Sequence, residues 1–179
     1  HLDGDGGDLE HLMQIGIVLP VGDLSIRIGG HHVGPCLQEP VLPELDPEER
    51  MRMAELTAGE IRRMLPREGA VLVVGLGNSS ITPDALGPQV AQHILVTRHL
   101  PEELARSLGM GSLRKTAALI PGVLGQTGVE SGELTAALVN FIQPSAVIVV
   151  DALAAQDYGR LGRTIQISDS GIAPGSGGQ

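Results

Sequence analysis

The sequence of 179 residues has no tryptophan, one phenylalanine, one tyrosine and one cysteine. With so few aromatic side chains, the core must be built from Val, Leu, Ile, Ala and Met. A single cysteine excludes a disulfide framework within the chain and fits a reducing, cytoplasmic compartment. Basic residues are also scarce, with 12 Lys and Arg against 21 Asp and Glu, a formal net charge of −9. This balance argues against direct nucleic-acid binding, which needs clustered Lys and Arg.

Long apolar runs are missing too, and none approaches the length needed to cross a bilayer, so we expect no membrane partner. What is present is a globular composition, 42% hydrophobic, of a length that fits one sizeable core. The first 34 residues differ in pattern from the rest. An acidic, glycine-rich start is followed by alternating apolar and polar residues from Met13 to Ile28, typical of a hairpin or two short strands. We therefore divide the chain into residues 1–34, a tail plus hairpin, and residues 35–179, an α/β domain.

The α/β domain is organised around a glycine-rich junction between a strand and a helix. Ala70 to Val74 is an unbroken aliphatic run, the pattern of a strand buried on both faces. Gly75 and Gly77 end this run, and apolar residues return at helical spacing from Ala85 to Val96. Asp84 therefore lies where the strand gives way to the helix, in the position of an N-cap or first-turn acid.

The same alternation of strands and helices continues along the chain. The patterns predict a helix from Asp46 to Leu65, strands at Thr116 to Ile120, Ala146 to Val150 and Arg163 to Ser170, and a helix from Glu130 or Ser131 to Ile142. The repeated order of strand, loop and helix predicts an α/β fold, a three-layer α/β/α sandwich with a mainly parallel sheet.

Two of the buried strands end in an aspartate. Asp84 alone would be interpreted as a helix cap, but Asp151 directly follows the run Ala146 to Val150. Parallel strands carry their ligand and catalytic groups at their carboxyl ends, so both carboxylates are expected at one edge of the sheet. Two neighbouring carboxyls separate their pKa values, as general acid–base chemistry requires. Asn78 and the nearby backbone N–H groups could stabilise an oxyanion, or Asn78 could hold its own turn.

No metal or cofactor is expected from the residues. His31 and His32 are adjacent, and neighbours on an extended chain point to opposite faces, which favours a turn over a shared metal. The glycine-rich start with Asp3 and Asp5 lacks the acidic residue that closes a calcium loop.

Five motifs in one order resemble the germination protease family of spore-forming bacteria. They are Gly75-Leu-Gly-Asn78 with Thr82-Pro-Asp-Ala-Leu-Gly-Pro88, Leu95-Val-Thr-Arg-His-Leu100, Pro121-Gly-Val123 with Gly128-Val-Glu130, Asp151-Ala-Leu-Ala154, and Thr164-Ile-Gln-Ile-Ser-Asp169. The resemblance is strong over residues 69–179, looser over the helix from Asp46 to Leu65, and poor over residues 1–34. Members of the family continue well beyond Gln179, so we expect a fragment, or a divergent member with an altered start.

The resemblance implies an endopeptidase that starts the degradation of small acid-soluble spore proteins during germination, by an atypical aspartic mechanism. It implies an inactive precursor that sheds an N-terminal segment, and a place in the cytoplasm of the forespore and spore core. We also expect a homo-oligomer. The catalytic pair would be Asp84 and Asp151. The supporting residues would be Gly77, Asn78, Thr82, Glu130 and Asp169.

Two other functions remain open. The same glycine loop, and the expected fold, resemble endopeptidases that mature nickel–iron hydrogenases, where His93 or His99 could contact nickel in the substrate. A nucleotide-binding module could use the glycine loops for phosphate, although these loops lack a Lys and match neither common phosphate fingerprint. Glu130 could also serve only to open its helix, where the helix dipole favours an acid.

Overall fold

The computed structural model describes residues 12–18, 27–28, 31–32, 45–111, 113–153 and 164–168. The strands are β1 Leu12–Val18, β2 Arg27–Ile28, β3 His31–His32, β4 Val71–Gly75, β5 Thr116–Leu119, β6 Ala146–Leu153 and β7 Thr164–Ser168. The helices are α1 Pro47–Met64, α2 Leu86–Gln92, α3 Glu102–Ser107, α4 Leu124–Thr127 and α5 Ser131–Ile142, with a 3-10 turn at Thr82–Asp84 before α2.

The described strands form one sheet in the order β3-β2-β7-β1-β6-β4-β5. Strands β1, β6, β4 and β5 run parallel to one another, and β7 lies antiparallel to β1. The register aligns Val71 of β4 with Ala146 of β6 and with Thr116 of β5. Each parallel connection contains helical segments, as crossover connections require. The predicted α/β fold with a mainly parallel sheet is therefore confirmed.

Helices cover both faces of the central strands. Because side chains alternate across a strand, odd and even positions of β4 enter different clusters. Val71 and Val73 pack with residues of α1 and α2 on one face, and Leu72 and Val74 pack with residues of α5 on the other. Leu72 and Val74 are fully buried. The arrangement is the three-layer sandwich that the sequence predicts.

Helix α1 begins as its sequence predicts. Asp46 Oδ1 accepts the N–H groups of Glu48 and Glu49 at 2.8 and 2.9 Å, and the Glu49 carboxylate accepts the Asp46 N–H at 2.9 Å. This reciprocal box satisfies donors that a helix start otherwise leaves free.

None of the helices within the described ranges has the length and apolarity that crossing a membrane demands.

Helix α2 is shorter than predicted, ending at Gln92 rather than near Val96. Bonds to β5 explain the difference, because the N–H groups of Thr97 and Arg98 both donate to the Thr116 carbonyl at 3.0 Å. Thr97 Oγ1 in turn accepts the Thr116 N–H at 2.9 Å, and Thr97 is only 7% exposed. The chain thus leaves the helix to reach the start of β5.

The segment from Leu12 to His32 differs from its sequence-based description in its pairing. Strand β1 lies between β6 and β7 and does not pair with β2. His31 and His32, expected in a turn, form β3 and pair with β2. Of the two interpretations that the sequence left open, a hairpin or two short strands, the described strands fit the second, since β1 and β2 form without pairing with each other. An alternating pattern identifies a strand but carries no information about its partner.

Phe141 does not belong to the buried stripe of α5, where helical spacing in the sequence would place it. Its side chain is 74% exposed, while Leu138, Val139 and Ile142 pack against the core. At 100° per residue these three positions fill the inward face and turn Phe141 outward. The Arg98 guanidinium lies over its ring, 5.7 Å from the centroid, a cation–π arrangement.

Candidate functional site

The carboxyl ends of β4 and β6 meet at one edge of the sheet. Gly75, the last residue of β4, is aligned with Val150, and the N–H of Leu76 donates to the Val150 carbonyl at 2.8 Å. Asp151 is thus the first residue of β6 beyond the end of β4. Strand β6 continues there because β1 still pairs with it, with Gly16 aligned to Asp151.

Glycines let the loop and helix that carry Asp84 approach this edge closely. Gly77 has φ +119°, and a Cβ there would overlap the Asp84 carbonyl and lie 3.0 Å from Asp84 Oδ1. A Cβ on Gly87 would lie 2.5 Å from the Val150 carbonyl oxygen and 2.6 Å from the Leu76 nitrogen. Only glycine permits such contacts. They seat α2 and Asp84 directly against the ends of both strands.

The Asp84 carboxylate does not cap α2, which was its simplest interpretation. Residue Ala85 holds the N-cap position of α2, with no side-chain capping bond, and Asp84 closes the preceding 3-10 turn. Asp84 Oδ2 instead accepts the backbone N–H of Asn78 at 2.7 Å. The carboxylate therefore faces the glycine loop at the edge of the sheet.

Asn78 connects this carboxylate to two further segments. Its Oδ1 accepts the N–H of Ser80 at 2.9 Å, so the side chain does hold its own turn. The same atom accepts a hydrogen bond from Nε2 of Gln126 at 2.9 Å. Its backbone N–H is engaged by Asp84 and is thus not free for an oxyanion. Gln126 is absent from the residues predicted from the sequence, although it lies in α4, within a second glycine-rich stretch that follows the parallel strand β5.

Asp151 has a perturbed acidity. Burial raises its pKa above the ordinary value, a backbone hydrogen bond from Ala152 opposes the rise, and the negative charge of Asp84 adds to it. A half-buried carboxyl loses hydration that favours its charged form, and a like charge nearby disfavours that form further. The two aspartates that the sequence places at one edge are thus close enough for the charge of Asp84 to act on Asp151.

The supporting residues named from the sequence divide into three groups. Gly77 and Asn78 contact Asp84 directly. Thr82 is exposed at the start of the 3-10 turn, and Glu130 is exposed at the N-cap of α5, where its N–H donates to Glu133 Oε2 at 3.3 Å. This is the helix-opening role left open for Glu130. Asp169 lies outside the described residues.

The two histidines considered as nickel contacts are not part of this site. His93 follows the last residue of α2, at the end of the helix away from Asp84, and its Nδ1 is 2.7 Å from the Gln89 carbonyl. His99 follows Arg98, whose N–H bonds to the first residue of β5, at the amino edge of the sheet. In the described portion of the chain there is no group of three or more His, Cys, Asp or Glu that could hold a metal.

Comparison with known proteins identifies the family. A family model described as germination protease matches residues 31–179. The chain is 46% identical over 143 residues to a germination protease of Caldanaerobacter subterraneus subsp. tengcongensis, which covers 79% of this chain and 44% of the relative. It is 45% identical over 139 residues to the germination protease of Priestia megaterium, 75% of this chain and 37% of the relative. The chain belongs to the germination protease family.

A third relative shows the same partial coverage. The germination protease of Clostridium perfringens is 50% identical over 113 residues, which are 63% of this chain and 34% of the relative. The chain thus spans less than half the length of the curated relatives it matches.

Proposed function

We propose that this chain carries the catalytic carboxylates of an endopeptidase that starts the degradation of small acid-soluble spore proteins during germination. The observation that carries the proposal is the pairing of Asp84 and Asp151 at the carboxyl edge, where the Asp84 charge contributes to a raised pKa of Asp151. An acid–base pair of this kind needs one carboxyl that keeps its proton and one that is ionised. Membership of the germination protease family supports the assignment.

Because the pKa of Asp151 is the raised one, we assign Asp151 the role of the acid and Asp84 the role of the base. Asp84 would take a proton from water while the water oxygen bonds to the peptide carbonyl carbon. Asp151 would give its proton to the carbonyl oxygen in the same step. Collapse of the tetrahedral intermediate then breaks the C–N bond. The leaving nitrogen receives the proton from Asp84, and Asp151 regains one from an intermediate hydroxyl.

The remaining parts of the proposal concern the whole protein. The substrate would be the small acid-soluble proteins of the spore core, the enzyme would act there as a homo-oligomer, and it would arise from an inactive precursor. The resemblance to germination proteases motivates these assignments. The net charge of −9 favours a protein substrate over direct contact with the DNA that such substrates coat.

The test replaces each carboxylate by its amide in the intact, processed protein. Asp84→Asn and Asp151→Asn should each lower the rate of cleavage of a small acid-soluble spore protein by about 10² to 10⁴, the usual effect of losing a general acid or base. Asp46→Asn is the matched control, because asparagine caps a helix as well as aspartate does. It should cleave at the wild-type rate.

Near wild-type cleavage by either site variant would contradict the aspartic mechanism. Thermal unfolding of the same samples separates chemistry from folding, because neither amide changes the core volume. A loss of cleavage with an unchanged unfolding temperature supports the proposal. Ni²⁺ and ATP titrations of the wild type test the two other functions, and saturable binding of either would favour the corresponding alternative.

A further inference from the structure

Among the described contacts, Gln126 is the one side chain from another segment that hydrogen-bonds to the loop between β4 and α2. It belongs to α4, 48 residues from Asn78 in sequence. Its Nε2 donates to Asn78 Oδ1 at 2.9 Å, and the Asn78 N–H donates to Asp84 Oδ2 at 2.7 Å. Two hydrogen bonds therefore connect α4 to the Asp84 carboxylate through a single residue.

The segment that presents Gln126 is itself fixed by local bonds. The Gln126 N–H donates to the Val123 carbonyl at 2.9 Å, and Thr127 Oγ1 donates to the Val129 carbonyl at 3.0 Å. Gly128, at φ +71°, ends α4 in the left-handed conformation, with its N–H bonded to the Leu124 carbonyl at 2.8 Å. The conformation of α4 thus does not depend on the side chain of Gln126.

The conformation of Asn78 depends more on its hydrogen-bond partners than that of α4 does. It lies in a loop whose end at Asp84 is six residues away, and its Oδ1 holds both the Ser80 N–H and Gln126 Nε2. The Ser80 bond lies within the loop, whereas the Gln126 bond ties the loop to α4. Removing the Gln126 donor leaves only the bond within the loop, so the loop conformation in which the Asn78 N–H donates to Asp84 is less restrained.

We infer that Gln126 is a positioning residue, which holds Asn78 and through it orients the Asp84 carboxylate for the reaction. The inference rests on the proposed function of Asp84. Gln126 itself touches no reacting atom. Both Gln126 and the loop are near the surface, so solvent can satisfy the freed groups and the fold does not depend on this bond. The expected effect is on the geometry of Asp84, and small displacements of a reacting group have large effects on rate.

The kinetic test compares Gln126→Met with Gln92→Met in the intact, processed protein. Methionine keeps the length of glutamine and removes its donor, and Gln92 is an exposed glutamine at the far end of α2. Gln126→Met should lower kcat about tenfold with KM and unfolding temperature unchanged. Gln92→Met should match the wild type in all three. An unchanged kcat in Gln126→Met, while Asp84→Asn is inactive, overturns the inference and leaves the proposed function standing.

A second readout does not need activity. Hydrogen exchange of the Asn78 amide, followed by NMR in protein labelled on asparagine nitrogen, reports the bond to Asp84 directly. Gln126→Met should speed this exchange several-fold, and Gln92→Met should leave it unchanged. Equal exchange in the two variants overturns the inference whatever the protease assay shows. Faster exchange in Gln126→Met alone supports the first half of the inference, that Gln126 holds Asn78 on Asp84, and the kinetic comparison decides whether this serves the reaction.

Discussion

The amino and carboxyl edges of the parallel strands differ in the surroundings of their charged groups. At the amino edge, the guanidinium of Arg114 donates to the carbonyls of Pro66, Glu68 and Gly69 at 2.5 to 2.8 Å, a cation on partial negative charges. At the carboxyl edge, burial raises the pKa of Asp151 and the negative charge of Asp84 raises it further. The amino edge thus carries contacts that stabilise the fold. The carboxyl edge instead holds the carboxyls of Asp84 and Asp151 near each other, which is electrostatically unfavourable.

The unfavourable pair is held by backbone geometry. Glycines at positions 75, 77 and 87 let α2 and its preceding loop contact the ends of β4 and β6 closely enough to bring the carboxylates together. Groups with perturbed pKa values concentrate at functional sites, because selection for chemistry there outweighs selection for stability. The comparison thus teaches that the backbone holds two carboxyls, one of them half-buried, near each other at the edge that we propose to be functional.

The largest expected effect on stability comes from filling the close contact at the carboxyl edge. In Gly87→Ala the new methyl group would overlap backbone atoms of Leu76 and Val150. Backbone atoms cannot move aside by a change of rotamer, as side-chain atoms can. The free energy of unfolding should therefore fall by about 3 kcal/mol or more. Urea unfolding measures the change.

Gly59→Ala is the matched control for this substitution. Gly59 lies within α1, and a methyl group added there would have no heavy atom within 4 Å outside its own helix backbone and chain neighbours. Alanine there should raise stability by about 0.5–1 kcal/mol, the usual gain in a helix interior. A neutral Gly87→Ala would show that α2 is not seated on the strand ends as described.

A smaller effect is expected from removing the cation of the amino edge. Arg114→Met keeps the aliphatic stem and leaves three carbonyls to solvent. We expect a loss of about 1–3 kcal/mol in the free energy of unfolding, since bonds to a charged donor are stronger than neutral ones but this group is partly exposed. The cleavage rate per folded molecule should stay at the wild-type value. A change in kcat without a change in stability would contradict the division of roles between the edges.

The carboxyl edge could be predicted from the sequence, although the amino edge and Arg114 were not. The aliphatic runs of β4 and β6 require strands buried on both faces, and parallel strands deliver their last residues to one edge, so Asp84 and Asp151 were predictable as neighbours. The capping box of α1 was equally readable, because all its groups lie within four residues. The place of His93 at the end of α2 away from Asp84 was also predictable, since a helix in a parallel crossover runs back along the sheet.

Contacts set by tertiary structure were not predictable. The bond from Asn78 to Asp84 depends on the conformation of the loop between them, which no local pattern specifies. Gln126 reaches Asn78 across 48 residues. The early end of α2 depends on Thr97 meeting β5, and the place of β1 between β6 and β7 depends on which strands have free edges.

The proposed function depends on the electrostatic coupling of Asp84 and Asp151, and the pKa of Asp151 tests this coupling most directly. Carboxyl carbons labelled with ¹³C can be titrated by NMR in the wild-type protein and in Asp84→Asn, with Asp151→Asn used to assign the signal. Burial should keep the pKa of Asp151 above its ordinary value in both proteins. Removing the Asp84 charge should lower it in Asp84→Asn relative to the wild type. The same pKa in both proteins would contradict a coupled pair.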